Sequence, residues 1–253
     1  SSATFLVDAE SNLGSLLGLL AYPTAIERLL SIRGQAWFWS AGFITFCAAC
    51  AWSAAQVVRA PAPAAAPVES VEEEAPVRRG DTVMWILLSF TGSGLLLAVT
   101  NELCQNVAVV PLMWIVPLSL YLLTFILCFS GLYWRSIWMW PLLASLGGVG
   151  WLVRQTSTTP FTVQVATLMA VLFCGCMVCH GELVSIRPHA RRLTAFYLAV
   201  AAGGSIGGIA VAIVAPLVLT SLWEFPFFTV MPLALLTISA ARDRQSRLRR
   251  GFW

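Results

Sequence analysis

Long uncharged apolar runs, separated by short arginine-bearing breaks, constrain this chain more than any other feature. Each run approaches the roughly 20 residues that a helix needs to cross a bilayer. Hydrophobic residues make up 58% of the chain and charged residues 11%. A soluble domain carries about 25% charged residues, so few side chains here could face water. Inside hydrocarbon every backbone N–H and C=O must be bonded within the protein. Continuous apolar runs meet that demand as helices. A membrane β-barrel would need short segments of alternating polarity, and none occurs. The expected fold is all-α: a polytopic transmembrane helix bundle of about eight helices, transporter-like in architecture.

The runs fall at 13–30, 35–58, 83–103, 112–132, 137–153, 161–183, 194–219 and 226–240. The first is broken by Tyr22-Pro23 and ends in Glu27-Arg28. These runs divide the chain into a first transmembrane group (1–59), a linker (60–80), a second transmembrane group (81–240) and a basic tail (241–253). The linker, rich in Ala, Pro and Glu, has no apolar periodicity and reads as solvated and disordered. No strong internal repeat and no cleavable signal peptide is expected.

Orientation follows from the arginines. All fifteen basic residues are Arg. Numbering the loops alternately puts twelve on one side: Arg59, Arg78, Arg79, Arg135, Arg187, Arg191 and Arg192, with the five of the tail. Only Arg28, Arg33 and Arg154 fall on the other. Basic loops stay cytoplasmic, which predicts a cytosolic linker, Arg187 loop and C-terminus. Trp37, Trp39, Trp151 and Trp223 then lie near the outer boundary, and Trp85, Trp134 and Trp138 near the inner one. The net charge of +3 carries no implication of nucleic acid. The basic tail reads as an inner-leaflet anchor.

Four motifs interrupt the apolar pattern. Thr100-Asn101-Glu102-Leu103-Cys104-Gln105-Asn106 closes the third run. On a helix Asn101 and Gln105 share one face, Glu102 and Asn106 another. Ionisable groups at membrane depth face a cavity or a partner, so this is either a substrate site or a solvated helix end. The sixth run ends Cys174-Gly175-Cys176-Met177-Val178-Cys179-His180-Gly181-Glu182. It contains the C-x-x-C-H spacing of haem attachment. Its cytosolic placement and apolar setting leave haem or a soft metal as a minority reading, and no cofactor or metal is expected. Cys47 and Cys50, within an apolar helix, do not read as a redox dithiol. His180, Glu182 and Arg187 form the third motif, in which Glu182 is expected to pair with Arg187 or an arginine after it. They are a ligand site or a loop clamp. Gly203, Gly204, Gly207 and Gly208 make two overlapping G-x-x-x-G patterns, which let another helix approach backbone to backbone. No strand precedes them, so dinucleotide binding is rejected.

Several stretches together resemble a known family. They are Ser11-Asn12-Leu13-Gly14-Ser15-Leu16-Leu17 with Ala21-Tyr22-Pro23; Thr100-Asn101 with 107–114 and 117–125; and Cys179-His180-Gly181-Glu182-Leu183 with Arg187-Pro188, Leu193-Thr194 and Phe196-Tyr197. They continue through the glycine helix to Ala215-Pro216 and Glu224-Phe225-Pro226. In this order they resemble the membrane region of bacterial fused major-facilitator/spermidine synthase-like proteins. The resemblance implies a multi-helix membrane half followed by a cytosolic aminopropyltransferase-like domain. No acidic, glycine-rich nucleotide loop of that enzyme type occurs here. The chain therefore reads as a fragment, or as a membrane-only member whose catalytic partner is separate, and no catalytic residue is assigned. Two functions are expected. One is binding or transport of a small solute such as a polyamine, through Asn101, Glu102, Gln105, Asn106, His180, Glu182 and Arg187. The other is a non-transporting anchor for a cytosolic synthase-like domain or chain. The expected location is the bacterial inner membrane.

Overall fold

A computed structural model describes residues 2–59, 79–106, 113–155, 159–188, 192–219 and 223–250. Among them there is no strand. Eight helical segments follow in order: α1 Ser2–Ala21, α2 Ile32–Arg59, α3 Arg79–Asn106, α4 Ile115–Phe129, α5 Arg135–Gln155, α6 Phe161–Ser185, α7 Leu193–Val218 and α8 Glu224–Arg250. Six of them (α2, α3 and α5 to α8) are long and apolar enough to cross a membrane. The chain is thus a multi-pass α-helical membrane protein.

Of the eight helices, α1 and α4 fall outside those six. In α1, Asp8, Glu10 and Asn12 dilute the apolar pattern. The fourth run, expected to be 21 residues long, folds as 15 helical residues, Ile115–Phe129. That is about 22 Å of helix, well short of a hydrocarbon core of roughly 30 Å. Gly131, at φ +84°, ends it. The amides of Gly131 and Leu132 turn back onto the carbonyls of Cys128 and Leu127. Only glycine takes that left-handed conformation without a Cβ penalty.

The chain folds as two compact units, Leu20–Pro76 and Ser1–Leu19 with Val77–Trp253. In the smaller unit a π-turn at Tyr22–Ile26, which contains Pro23, leads through Glu27–Leu29 into α2. Gln35 ties that junction, its amide donating to the Leu30 carbonyl while its Oε1 accepts from the Tyr22 hydroxyl. Along α2, Trp37, Phe38, Phe43, Phe46 and Trp52 are exposed, as suits a helix facing lipid. The expected linker, apart from its last two residues, lies outside the described residues.

In the larger unit α6 is the axial helix. Every residue of 174–183 is buried, and α3, α4, α5 and α8 all pack on α6. On its other side α3 packs along α7 and α8. Lipid supplies no hydrophobic drive between helices, so close approach depends on small residues. Gly175 makes room for Leu95 and Pro232, and Gly181 for the Tyr133 ring. The core between them is aliphatic and aromatic: Leu95, Val99 and Leu103 of α3 meet Val171 and Leu172 of α6 and Phe228 of α8.

Three further details differ from expectation. Trp85, expected as an inner boundary anchor, is buried, its indole donating to the Ile186 carbonyl at 3.1 Å and packing edge-on to Phe196. The last span ends at Asp243, but the helix does not stop there; α8 continues to Arg250. Arg242 there bonds Asp81 at 2.8 Å and the Gly80 carbonyl at 3.2 Å, fastening the end of α8 to the start of α3. In α7 a π-turn at Ala210–Val214 precedes Pro216. Proline lacks an N–H and its ring crowds the carbonyl four residues back, and the wider turn relieves that clash.

Candidate functional site: an ionic knot and a buried histidine

Glu182 and His180 sit two positions apart on α6, hence about 200° apart around its axis. They face different neighbours.

Glu182 is fully buried. Its partner is Arg135, at the start of α5, and not Arg187 as the sequence suggested. Arg135 grips it with Nε to Oε1 at 2.6 Å and Nη2 to Oε2 at 2.5 Å. The Tyr133 hydroxyl donates to Oε1 at 2.8 Å and the Ser239 hydroxyl to Oε2 at 2.5 Å. A carboxylate has about four acceptor sites, and all four are used. Arg135 also donates to Ser239 at 3.0 Å and, through Nη1, to Asp243 at 2.5 Å. Five side chains from α5, α6, α8 and the α4–α5 turn are knotted together. Burial first, and the adjacent Glu182 carboxylate next, push the Tyr133 phenol well above its ordinary range. Tyr133 therefore remains a donor throughout physiological pH.

His180 faces α4. Its Nδ1 lies 2.9 Å from Thr124 Oγ1, whose hydroxyl donates to the Tyr121 carbonyl at 2.7 Å. With that hydrogen committed, Thr124 accepts, so Nδ1 carries the proton and Nε2 is left with a lone pair. The ring lies against Tyr121 and Phe125, with centroids 4.8 and 3.9 Å away. Nε2 points toward Gly92 of α3, is buried, and has no hydrogen-bond partner among the described residues.

Arg187 stands apart from both. Its guanidinium donates to the Tyr197 hydroxyl at 3.0 Å and lies over the rings of Phe129 and Tyr197. The polar end of α3 is at the opposite end of the bundle. Trp85 contacts the C-terminus of α6, and Asn101 lies sixteen residues further on, about 24 Å along the axis. There Asn101 and Glu102 are half-buried and Gln105 is exposed. The side chain of Asn106 lies outside the described residues. The six expected solute-site residues whose side chains are described therefore do not line one cavity.

The cysteines are dispersed around α6. Cys176 points its thiol at the Gly92 carbonyl, 3.9 Å away, and Cys174 lies against the α5 groove at Ser145. Among the described residues no three His, Cys, Asp or Glu side chains converge as a metal would require.

Reasoning along the sequence misses Tyr133, Arg135, Ser239 and Asp243. They lie 47 to 61 positions from Glu182 with no local spacing to connect them. The available signal is Arg135 itself, a charge abutting an apolar run. Asp243, the only acidic residue among the tail arginines, is a second.

Comparison of the chain with known protein families, with curated proteins and with solved structures finds no match. The fold and the knot define a class, a multi-pass helical membrane bundle with an internal ionic clamp.

Proposed function

We propose that this chain is the membrane module of a protein resembling the fused major-facilitator/spermidine synthase-like family. In this reading it sits in the bacterial inner membrane with its C-terminus in the cytosol. It anchors a cytosolic synthase-like domain or chain through α8. The saturated Glu182 carboxylate carries the reading. All four of its acceptor sites are filled by the protein's own donors, which leaves none for a solute and makes Ser239 and Asp243 fixed points for α8. A helix held so firmly at its cytosolic end suits an anchor. Sequence supplies the side, through the arginine distribution.

A second reading, binding or transport of a small amine such as a polyamine, draws on His180. Its buried Nε2, without a hydrogen-bond partner among the described residues, retains the capacity that Glu182 has spent.

The two readings separate experimentally. A fluorescent protein fused after Trp253 should light up in the cytosol and tumble slowly, with high anisotropy. Arg135→Gln should loosen α8 and lower that anisotropy. Proteoliposomes should take up labelled putrescine no faster than empty vesicles. Saturable uptake abolished by His180→Ala would replace the anchor reading with the transport one.

A further inference from the structure

One buried ionisable side chain at the end of a membrane span belongs to neither the knot nor the histidine pocket. Glu224 opens α8 and is only 8% exposed. Its position follows from its neighbours. Phe228 packs over Gly94 of α3, and Glu224 lies one helical turn, about 6 Å, beyond it. From Gly94 the helix α3 continues for twelve more residues, about 18 Å. Glu224 is the first residue of the last span, one residue beyond the boundary Trp223, with α3 running alongside it.

Glu224 borders a hollow of about 370 Å³ between α3, α7 and α8. Phe90, Ala215, Trp223, Phe227 and Phe228 form much of the remaining wall. The phenylalanines make a continuous aromatic surface, with Phe90 and Phe227 each 5.1 Å from Phe228 between ring centroids. Glu224 makes no hydrogen bond or ion pair with any protein group among the described residues. The N-terminal end of a helix dipole tolerates a carboxylate, but that does not supply the counter-charge a buried anion lacks. A carboxylate enclosed by protein without a partner is costly, and such groups face a cavity or a partner. The π-turn of α7 opens this space, since Ala210 and Val214, its first and last residues, both line it.

An anion set in aromatic walls matches one ligand chemistry, a cation carrying an apolar body. The carboxylate neutralises the charge, ring faces attract it through their quadrupole, and the rest of the wall takes hydrocarbon. We propose that the hollow beside Glu224 is a binding site for an organic ammonium ion. The proposal is independent of the anchoring role and of His180. The ammonium could be supplied by a dissolved amine or by a lipid headgroup, and the membrane composition used in the test tells them apart.

The test uses the whole chain in lipid nanodiscs and radiolabelled benzyltrimethylammonium as the probe. Binding should saturate, and Glu224→Gln should weaken it about tenfold or more, in line with loss of a charged partner, with melting temperature retained. Val214→Trp should fill the hollow while leaving Glu224 in place, and should also weaken binding. It decides the matter if the Glu224 variant fails to fold. The uncharged analogue neopentylbenzene should not compete. Weaker probe binding in phosphatidylethanolamine nanodiscs than in nanodiscs of an uncharged glycolipid would identify the headgroup as occupant; equal binding would identify a dissolved amine. Absence of saturable binding, unchanged binding in both variants, or equal competition by the neutral analogue would overturn the proposal.

Discussion

At the scale of the residue, Arg135 and Glu182 carry the sharpest energetic consequence. Removing one member of a buried pair leaves an uncompensated charge and costs about 3–5 kcal/mol, whereas replacing both by apolar residues is often neutral. Arg135→Met should therefore lower the melting temperature in detergent strongly, since Glu182 is fully buried. Glu182→Met should cost less, because Arg135 is 30% exposed and keeps Asp243. The double variant should be more stable than Arg135→Met. If the double variant is the worst of the three, the knot holds through its hydrogen-bond network and not its charges. That Glu182 needs a partner is legible in the sequence, because a carboxylate in an apolar run must be neutralised. Which arginine answers is not. Arg187 is nearest along the chain, but the rotation of α6 turns Glu182 toward α5 and α8, and Arg187 is taken up by Phe129 and Tyr197.

At the scale of the element, the glycines of α7 are not equivalent. A Cβ at Gly203 or Gly207 would run into the backbone of Ile86 or Phe90 on α3. At Gly204 it would lie 3.0 Å from the Ser93 hydroxyl, and at Gly208 3.8 Å from a Leu97 methyl. Ser89 strengthens this seam by donating to the Val200 carbonyl at 2.8 Å. Ala at Gly203 or Gly207 should already force the helices apart, and Leu there should cost on the order of 1–3 kcal/mol through overpacking. Gly208→Ala should be neutral or mildly stabilising, since alanine favours helix over glycine by about 1 kcal/mol. Thermal melts of the four Ala and four Leu variants check the order. Equal losses at all four positions would contradict a seam running through Gly203 and Gly207. The spacing of the glycines suggests a close contact, but α3 as the partner and the two positions facing it depend on how α7 is rotated.

The extension of α8 is the other element worth testing. Arg242 and Asp81 are each more than a third exposed, and such pairs contribute about 0–1 kcal/mol. Arg242→Ala should lower stability only slightly, with the difference shrinking as salt rises. A large, salt-insensitive loss would mean that the two helix ends are sealed from water.

At the scale of the whole molecule, orientation is the quantity to measure. The starts of α3 and α5 and the ends of α6 and α8 meet at one end of the bundle, joined by Arg242–Asp81, Trp85–Ile186 and Arg135–Asp243. These pairings group the ends that arginine counting assigns to one side. Cysteine labelling can assign that side. In a variant lacking the native cysteines, a Cys at Ser70 should resist an impermeant reagent applied to intact cells and react after permeabilisation. Reaction from outside would invert the topology and place the basic tail beyond the membrane.

Membrane residence, helical class and the approximate limits of the apolar segments are all readable along the chain. Each depends on a local quantity, a run of apolar residues long enough for hydrocarbon or a charge that ends it. The short α4, the inward turn of Trp85, the Glu182–Arg135 pair and the aromatic setting of Glu224 are not readable that way. They depend on how each helix is rotated about its axis and which helices lie beside it. Those choices are made when small residues such as Gly175, Gly203 and Gly207 bring backbones together, and they join side chains far apart in the chain.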